Sequence, residues 1–332
     1  MQRLIWTILT SFLMAMVFGP IVIPWLKRMK FGQTIYDLGP QSHKKKQGIP
    51  TMGGIIFFVP ALICTLIFCI KSGADLSLLV MALLCMVGFG AVGFVDDFIK
   101  VKLKRSLGLT PKQKLIPQIL IAIALSAWAY MTPAIGSRLV VPFVNWEWDL
   151  GWFYIPVMVF ILVGTVNSAN LLDGLDGLLG GCSMIDFATM TLICMLLATA
   201  GGDMANDYMN MAVLAAAMTG SLLGFLRFNA HPAGVFMGDV GSFTVGGALM
   251  GIMLVTRLSL LLPLIALAML VSSLSDIIQF AYFRATHGKR IFKMAPLHHH
   301  FELSGMPEER VVTMYYIVTA CLCLVALLGF TA

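Results

Sequence analysis

Charge is scarce in this 332-residue chain: Asp, Glu, Lys and Arg make up 11% of it, against 59% hydrophobic residues. A water-soluble domain carries about 25% charged residues. With so few, the chain has too little polar surface to cover a body in water, which excludes a soluble globular enzyme. No long polar stretch separates the apolar runs, so no soluble domain is expected, and residues 1–332 read as a single transmembrane domain. Paired cysteines are missing too. Cys64, Cys69, Cys85, Cys182, Cys194, Cys321 and Cys323 all fall in apolar runs, and none forms a C-x-x-C pair. A zinc site or disulfide framework is thereby disfavoured, and packing within helices is the plain reading. A cleavage signal is also lacking. The first apolar run, Leu4–Leu26, follows Arg3 but is longer than a secretory apolar core and shows no small-x-small site, so it is expected to persist as a helix.

Apolar runs near the ~20 residues that cross a bilayer recur from end to end. Ten spans are expected, near 4–26, 52–70, 77–95, 115–131, 153–170, 179–198, 209–227, 240–256, 260–283 and 312–330. An even number puts both termini on one side. Segments 27–51, 96–114, 227–239 and 284–311 hold eighteen of the 22 Lys and Arg; the opposite side holds only Arg3, Lys71, Arg138 and Arg257. The positive-inside bias therefore predicts cytoplasmic basic loops and outward, periplasmic termini. All six histidines and the tightest acidic clusters fall on the basic side, so a cytoplasmic active-site cleft is expected. On the other side, residues 132–152 surround Val140-Val-Pro-Phe-Val-Asn-Trp-Glu-Trp148, whose aromatics suit the membrane interface and a short periplasmic hairpin.

Several constellations on the basic side carry chemistry. Asp96 and Asp97 close the third span. Adjacent carboxylates repel each other unless a cation lies near, and Mg²⁺ takes carboxylate oxygens while keeping waters for phosphate. A polar helix end is the plain alternative; the further acidic motifs favour the metal. Asn167, Asn170, Asp173 and Asp176 are spaced by three, so on a helix they would line one face, while Gly174 and Gly177 allow a turn or a close ligand approach. Such a row at a span's end is costly in lipid unless it faces a cavity. Phe228–Ser242 is a Gly-rich loop containing Asn229. It leads through Asp239, flanked by Gly238 and Gly241, into the eighth span, as a metal or phosphate corner at a helix start would. Phe236 is placed to stack on a base.

His298, His299 and His300 lie in the last basic loop. Consecutive histidines seldom converge on one transition metal, so hydrogen bonds to phosphate or nucleotide are favoured. Lys44, Lys45 and Lys46 precede Gly48-Ile-Pro-Thr-Met-Gly-Gly54. Contact with anionic lipid is the plain reading for the first two, whereas Lys46 and Thr51 are better placed to reach a diphosphate. Lys100, Lys104 and Lys112 extend the same positive field. Within the spans, Asp276 and Gln279 are expected to edge the site, and Asp186 reads as a packed polar contact.

At these motifs the chain resembles the phospho-N-acetylmuramoyl-pentapeptide transferase family, among the polyprenyl-phosphate sugar-1-phosphate transferases. The resemblance rests on Ser42–Gly54, Val95–Lys100, Asn167–Gly177, Phe228–Ser242 and Pro296–Glu302, and runs over essentially the whole chain. It implies ten transmembrane helices, a homodimer and a cleft open to membrane lipid in the bacterial cytoplasmic membrane. It implies UDP-N-acetylmuramoyl-pentapeptide and undecaprenyl phosphate as substrates, with lipid I for peptidoglycan synthesis and UMP as products. It further implies that Asp239 holds Mg²⁺, that Asp96 or Asp97 assists catalysis, and that Lys46, Asn170, Asp173, Asp176, Phe236, Gln279 and the histidines contact nucleotide. Thr51, Lys100, Lys112, Asn167 and Asn229 complete the candidate substrate-binding set, with Asp96 and Asp97 as further metal ligands. No nucleic-acid partner is expected. The N-acetylglucosamine branch is the alternative within the superfamily, although it differs at His-His-His-Phe-Glu. The rival class is a polytopic transporter, but transporters place coupling residues near the midplane, often between repeats, and no clear repeat appears here. Direct attack by the lipid phosphate and a double displacement through an Asp both remain open.

Overall fold

The computed structural model describes residues 1–29, 48–69, 76–103, 108–144 and 146–330. Helix dominates them, as the long apolar runs require, because in lipid the backbone must satisfy its own N–H and C=O groups. In order the elements are α1 (Gln2–Arg28), α2 (Ile55–Cys69), α3 (Ser77–Lys102), α4 (Pro111–Met131), a hairpin of β1 (Arg138–Val141) and β2 (Trp146–Asp149), α5 (Tyr154–Leu172), α6 (Leu178–Thr199), α7 (Ala205–Asn229), α8 (Gly238–Thr256), α9 (Leu262–Ile265), α10 (Leu267–Ala285), α11 (Leu297–Leu303) and α12 (Glu308–Leu328).

Among the described residues, eight helices are long and apolar enough to cross a membrane, and Ser259–Ile265 with Leu267–Ala285 form a ninth candidate bent by 88°. The protein is an all-α, multi-pass membrane protein. All ten expected apolar segments are helical, but two depart from a plain crossing. The 52–70 segment is helical over only the 15 residues Ile55–Cys69. Its first residues are held instead by backbone bonds from Gly53 and Gly54 N–H to Phe236 and Met237 O, both 2.8 Å. The 260–283 segment breaks at Ala266 (φ −119°, ψ 33°), a position with neither Gly nor Pro to announce it.

The expected hairpin forms, with Arg138 opposite Asp149 and Val141 opposite Trp146. Short links make the long helices alternate in direction. The hairpin therefore lies at one end of the bundle, and the C-terminal ends of α3, α5 and α7 meet the N-terminal ends of α4, α6 and α8 at the other.

The centre of the bundle is α8, buried over 94% of its apolar stretch, against 28% for α1 and α4. Small residues let α3 lie directly on it. A Cβ at Gly93 would run into the Asp239 carbonyl, and one at Gly247 or Gly251 would meet the carbonyl of Cys85 or Ala82. That close approach carries the end of α3, with Asp96 and Asp97, alongside the start of α8, with Asp239.

Candidate active site

Asp96, Asp97 and Asp239 are all buried, and their ligand oxygens lie within 4.8 Å of one another. Three carboxylates this close repel each other unless cations intervene. Lys100, one turn along α3, places its Nζ 2.6 Å from Asp96 Oδ2, 2.8 Å from Asp239 Oδ2 and 3.6 Å from Asp97 Oδ1. Lys114 donates to the same Asp239 oxygen at 2.7 Å and sits 4.6 Å over the Phe243 ring. Asp239 Oδ1 accepts from Asn170 Nδ2 at 2.8 Å. Asp97 Oδ2 accepts the Val240 N–H at 3.0 Å, in the first turn of α8, where the helix end favours an anion. Leu109 N–H closes the cluster, donating to Asp96 Oδ1 at 2.8 Å. Three carboxylates with two ammonium groups leave negative charge in a secluded corner. This set of hard oxygen donors fits a divalent cation such as Mg²⁺.

The walls come from three other segments. Phe236 N–H donates to Pro50 O at 2.8 Å, so the stretch before α2 is stitched to the Gly-rich loop. This puts Thr51 Oγ1 and Asp97 Oδ2 against Gly238, whose left-handed backbone (φ 74°) leaves no room for a side chain. The turn from Asp173 to Gly177 forms a second wall. Burial, then the charges of Asp239, Asp97 and Asp176, hold the Asp173 carboxyl well above the usual carboxylate range, while a bond from Gly238 N–H opposes that rise. On the third side, a Cβ at Gly174 would strike Nε2 of both His298 and His299.

Comparison with known proteins agrees with this geometry. The model for glycosyl transferase family 4 matches residues 78–257, which run from α3 through α8 and include every one of these acids. The phospho-N-acetylmuramoyl-pentapeptide-transferase signature 1 matches residues 46–58, which include Thr51. Phospho-N-acetylmuramoyl-pentapeptide-transferase of Thermoanaerobacter sp. (strain X514) is 46% identical over 319 residues, 96% of either chain. The relative of that name from Clostridioides difficile (strain 630) is 45% identical over 98% of each chain, and that from Bacillus subtilis (strain 168) is 44% identical over 95% of this chain and 94% of its own. The chain belongs to the phospho-N-acetylmuramoyl-pentapeptide transferase family. The resemblance read from the motifs is thus borne out over nearly the full length.

Within this family member, the candidates separate. Asn167 and Asn170 share a face of α5, but the helix stops at Leu172 and Gly177 turns left-handed (φ 77°), so the three-residue row does not continue through Asp173 and Asp176 as one helical face. Asn167 Nδ2 is taken by Gln118 Oε1 at 2.6 Å and Val163 O at 2.8 Å. Asp176 is directed to His231 and Glu308. Buried Asn229 braces the Gly-rich loop by donating to Val235 O at 3.0 Å, and Phe236 is partly exposed beside it. The three histidines do not converge. His298 and His299 face the turn, with His299 Nδ1 2.8 Å from Glu302 Oε2, whereas His300 Nδ1 accepts from Lys293 N–H at 3.1 Å.

Gln279 clamps a loop: it accepts from Ile291 and Phe292 N–H at 3.1 and 3.0 Å and donates to Phe292 O at 3.2 Å. Asp186 lies buried within α6, where Cys323 Sγ donates to it at 3.7 Å, as a packed contact would. Lys44, Lys45, Lys46 and Lys104 lie outside the described residues.

Lys112 is exposed, and Lys114, two residues on, reaches the acids instead. A signal for this stood in the sequence. Thr110 and Gln113 form a capping box, with bonds of 3.4 and 3.0 Å, that starts α4 at Pro111 and sets Lys114 on its first turn. Gln118, His231 and Glu308 had no local signal; each matters through partners far away in the chain.

Proposed function

We propose that this transferase moves phospho-N-acetylmuramoyl-pentapeptide from its UDP carrier to undecaprenyl phosphate with Mg²⁺ at the cytoplasmic face, releasing UMP and leaving lipid I for peptidoglycan synthesis. The observation that carries this reading is the cluster of Asp96, Asp97 and Asp239 with Lys100 and Lys114 at one end of the bundle. The relatives' name supplies the substrate class, and the bias of Lys and Arg supports the cytoplasmic side. A single transmembrane unit over residues 1–332 and a homodimer belong to the same reading.

Asp239, Asp96 and Asp97 would hold the ion, which when bound withdraws charge from a diphosphate and its leaving group. Asn170, Lys100 and Lys114 fix the Asp239 carboxylate, and the two ammonium groups offer positive charge to phosphate oxygens. In the direct route a lipid phosphate oxygen forms a bond to the β-phosphorus as the bond from that phosphorus to UMP breaks. Asp96 orients the attacking phosphate or takes its proton. A phosphate with a second pKa of about 6 is already mostly ionised near neutral pH, so placement outweighs proton removal. The nucleotide lies between Phe236, the Asp173–Gly177 turn and the facing histidines, with Thr51 toward the diphosphate; Lys46, outside the described residues, belongs to the same candidate set.

The test is UMP release from the UDP-sugar on adding undecaprenyl phosphate, with and without Mg²⁺, and with UDP-N-acetylglucosamine as the alternative donor. Release that needs the lipid, the muramoyl donor and the ion is expected; equal release with the alternative donor overturns the substrate assignment. Labelled nucleotide without lipid separates the two routes, since a trapped phospho-sugar adduct on an Asp rules out direct attack.

A further inference from the structure

A second cluster of ionisable groups lies beside the acids, and the transfer assigns no task to its members His231 and Glu308. Asp176, His231 and Glu308 bring two carboxylate oxygens and a ring nitrogen within 4.8 Å of one another. They come from the turn after α5, the loop after α7 and the first residue of α12. Glu308 is buried, and its Oε1 accepts the Asp176 N–H at 2.8 Å. Asp176 Oδ2 accepts the Ala233 N–H at 3.0 Å and faces His231 Nδ1 at 3.2 Å. His231 Nδ1 lies 3.7 Å from Glu308 Oε2, and its Nε2 lies 3.2 Å from Glu309 Oε1. Further along α12, Tyr316 Oη donates to Gly177 O at 2.7 Å, and its ring occupies the space where a Cβ on Gly181 would sit.

The first turns of α12 therefore hold the Asp176–Gly177 end of the turn by both an N–H and a C=O. The other end of that turn faces the reaction: Asp173 takes the Gly238 N–H, and Gly174 bears on His298 and His299. Through His231 and Ala233 the same cluster ties the turn to the loop that leads to Phe236 and Asp239. Hydrogen bonds to buried carboxylates are the strong kind, and removing one partner leaves the other uncompensated.

We propose that Glu308 and His231 are positioning residues for the nucleotide: standing behind Asp176, they set the gap between the Asp173–Gly177 turn and the Ala230–Phe236 loop into which the uridine end of the donor fits. This rests on the reading of the protein as a UDP-sugar transferase. Neither residue touches the reacting phosphates, so their effect falls on binding of one substrate.

Hydrogen exchange and steady-state kinetics on the full chain in detergent test the proposal together. Glu308→Ala removes the acceptor of the Asp176 N–H, and Glu308→Gln keeps one. In Glu308→Ala, amides of 173–177 and 230–236 exchange at least about tenfold faster, and KM for the UDP-sugar rises by about that factor while KM for undecaprenyl phosphate stays within about twofold. Glu308→Gln returns both readouts to within about threefold of the wild type. His231→Ala speeds exchange at 230–236 and raises the same KM, and it carries the test alone if Glu308→Ala does not fold. Unchanged exchange in a folded variant, an equal rise in both KM values, or a Gln variant as impaired as the Ala variant overturns the proposal. Wild-type protein that releases no UMP with both substrates and Mg²⁺, while Glu308→Ala still shows the exchange response, refutes the transferase reading and leaves the positioning network standing.

Discussion

At the hairpin end of the bundle, Arg138 lies 3.5 Å from Glu147 and 3.8 Å from Asp149, with all three side chains open to water. At the acidic end, Lys100 and Lys114 lie 2.6 to 2.8 Å from buried carboxylates. Both ends pair basic with acidic side chains; the solvent differs. Water screens the first set, which is worth little however it is arranged. In the second set burial leaves the charges to be balanced by geometry alone, and the match is incomplete, since three acids share two lysines. That unbalanced charge suits the corner for an ion and a phosphate, while the hairpin end is held by turn bonds such as Ser137 Oγ and Gly151 N–H to Asp149 Oδ1, at 2.6 and 2.9 Å.

Substitutions at the two ends break this contrast if it is wrong. The largest effect is expected for Asp239→Asn, with UMP release falling by at least ~10³-fold and no recovery at high Mg²⁺; a folded variant with wild-type activity at limiting Mg²⁺ removes Asp239 from the site. Next comes the lysine pair. Lys114→Ala should lose about 10²-fold in kcat, whereas Lys112→Ala stays within about twofold, and parallel losses in the same assay erase the distinction drawn from their exposure. Asp186→Asn, deep in α6 and away from both ends, should keep most of its activity; an inactive but folded protein shows that the buried carboxylate does more than pack against Cys323.

The smallest change belongs to the hairpin end. Glu147→Gln, which weakens contacts to Arg138 and to Arg257 (2.9 Å), should shift stability by under ~1 kcal/mol and leave turnover unchanged. Bonds from Ser137 and Gly151 hold the Asp149 carboxyl below its usual range, so its contribution is present above the unfolded pKa and disappears as pH falls through the lower folded value. Fluorescence of Trp146 and Trp148 reads both effects.

Much of the fold was legible because lipid leaves the backbone few choices: ten apolar runs became helices, and an aromatic, Pro-containing segment became a hairpin. The acids were legible as short motifs at span ends. Features that depend on tertiary contact were not. Nothing in Ile265-Ala266-Leu267 announces an 88° bend. The spacing of Asn167, Asn170, Asp173 and Asp176 suggested one helical face, but the helix stops at Leu172, and the left-handed Gly177 starts the next one. Glu308 meets the Asp176 N–H across 132 positions of chain. Lys114 lay within reach of reasoning, through the capping box that begins α4, yet charge alone favoured Lys112 equally.

The seam between α3 and α8 has a consequence for biosynthesis. Asp96 and Asp97 are made early and carry Lys100 on their own helix, so they enter the membrane with a counter-ion beside them. Asp239 is made five helices later on a helix without a cation, and it gains both lysines only by docking. Assembly of the reactive corner and burial of that last carboxylate are therefore a single event, and a chain halted before α8 closes holds neither.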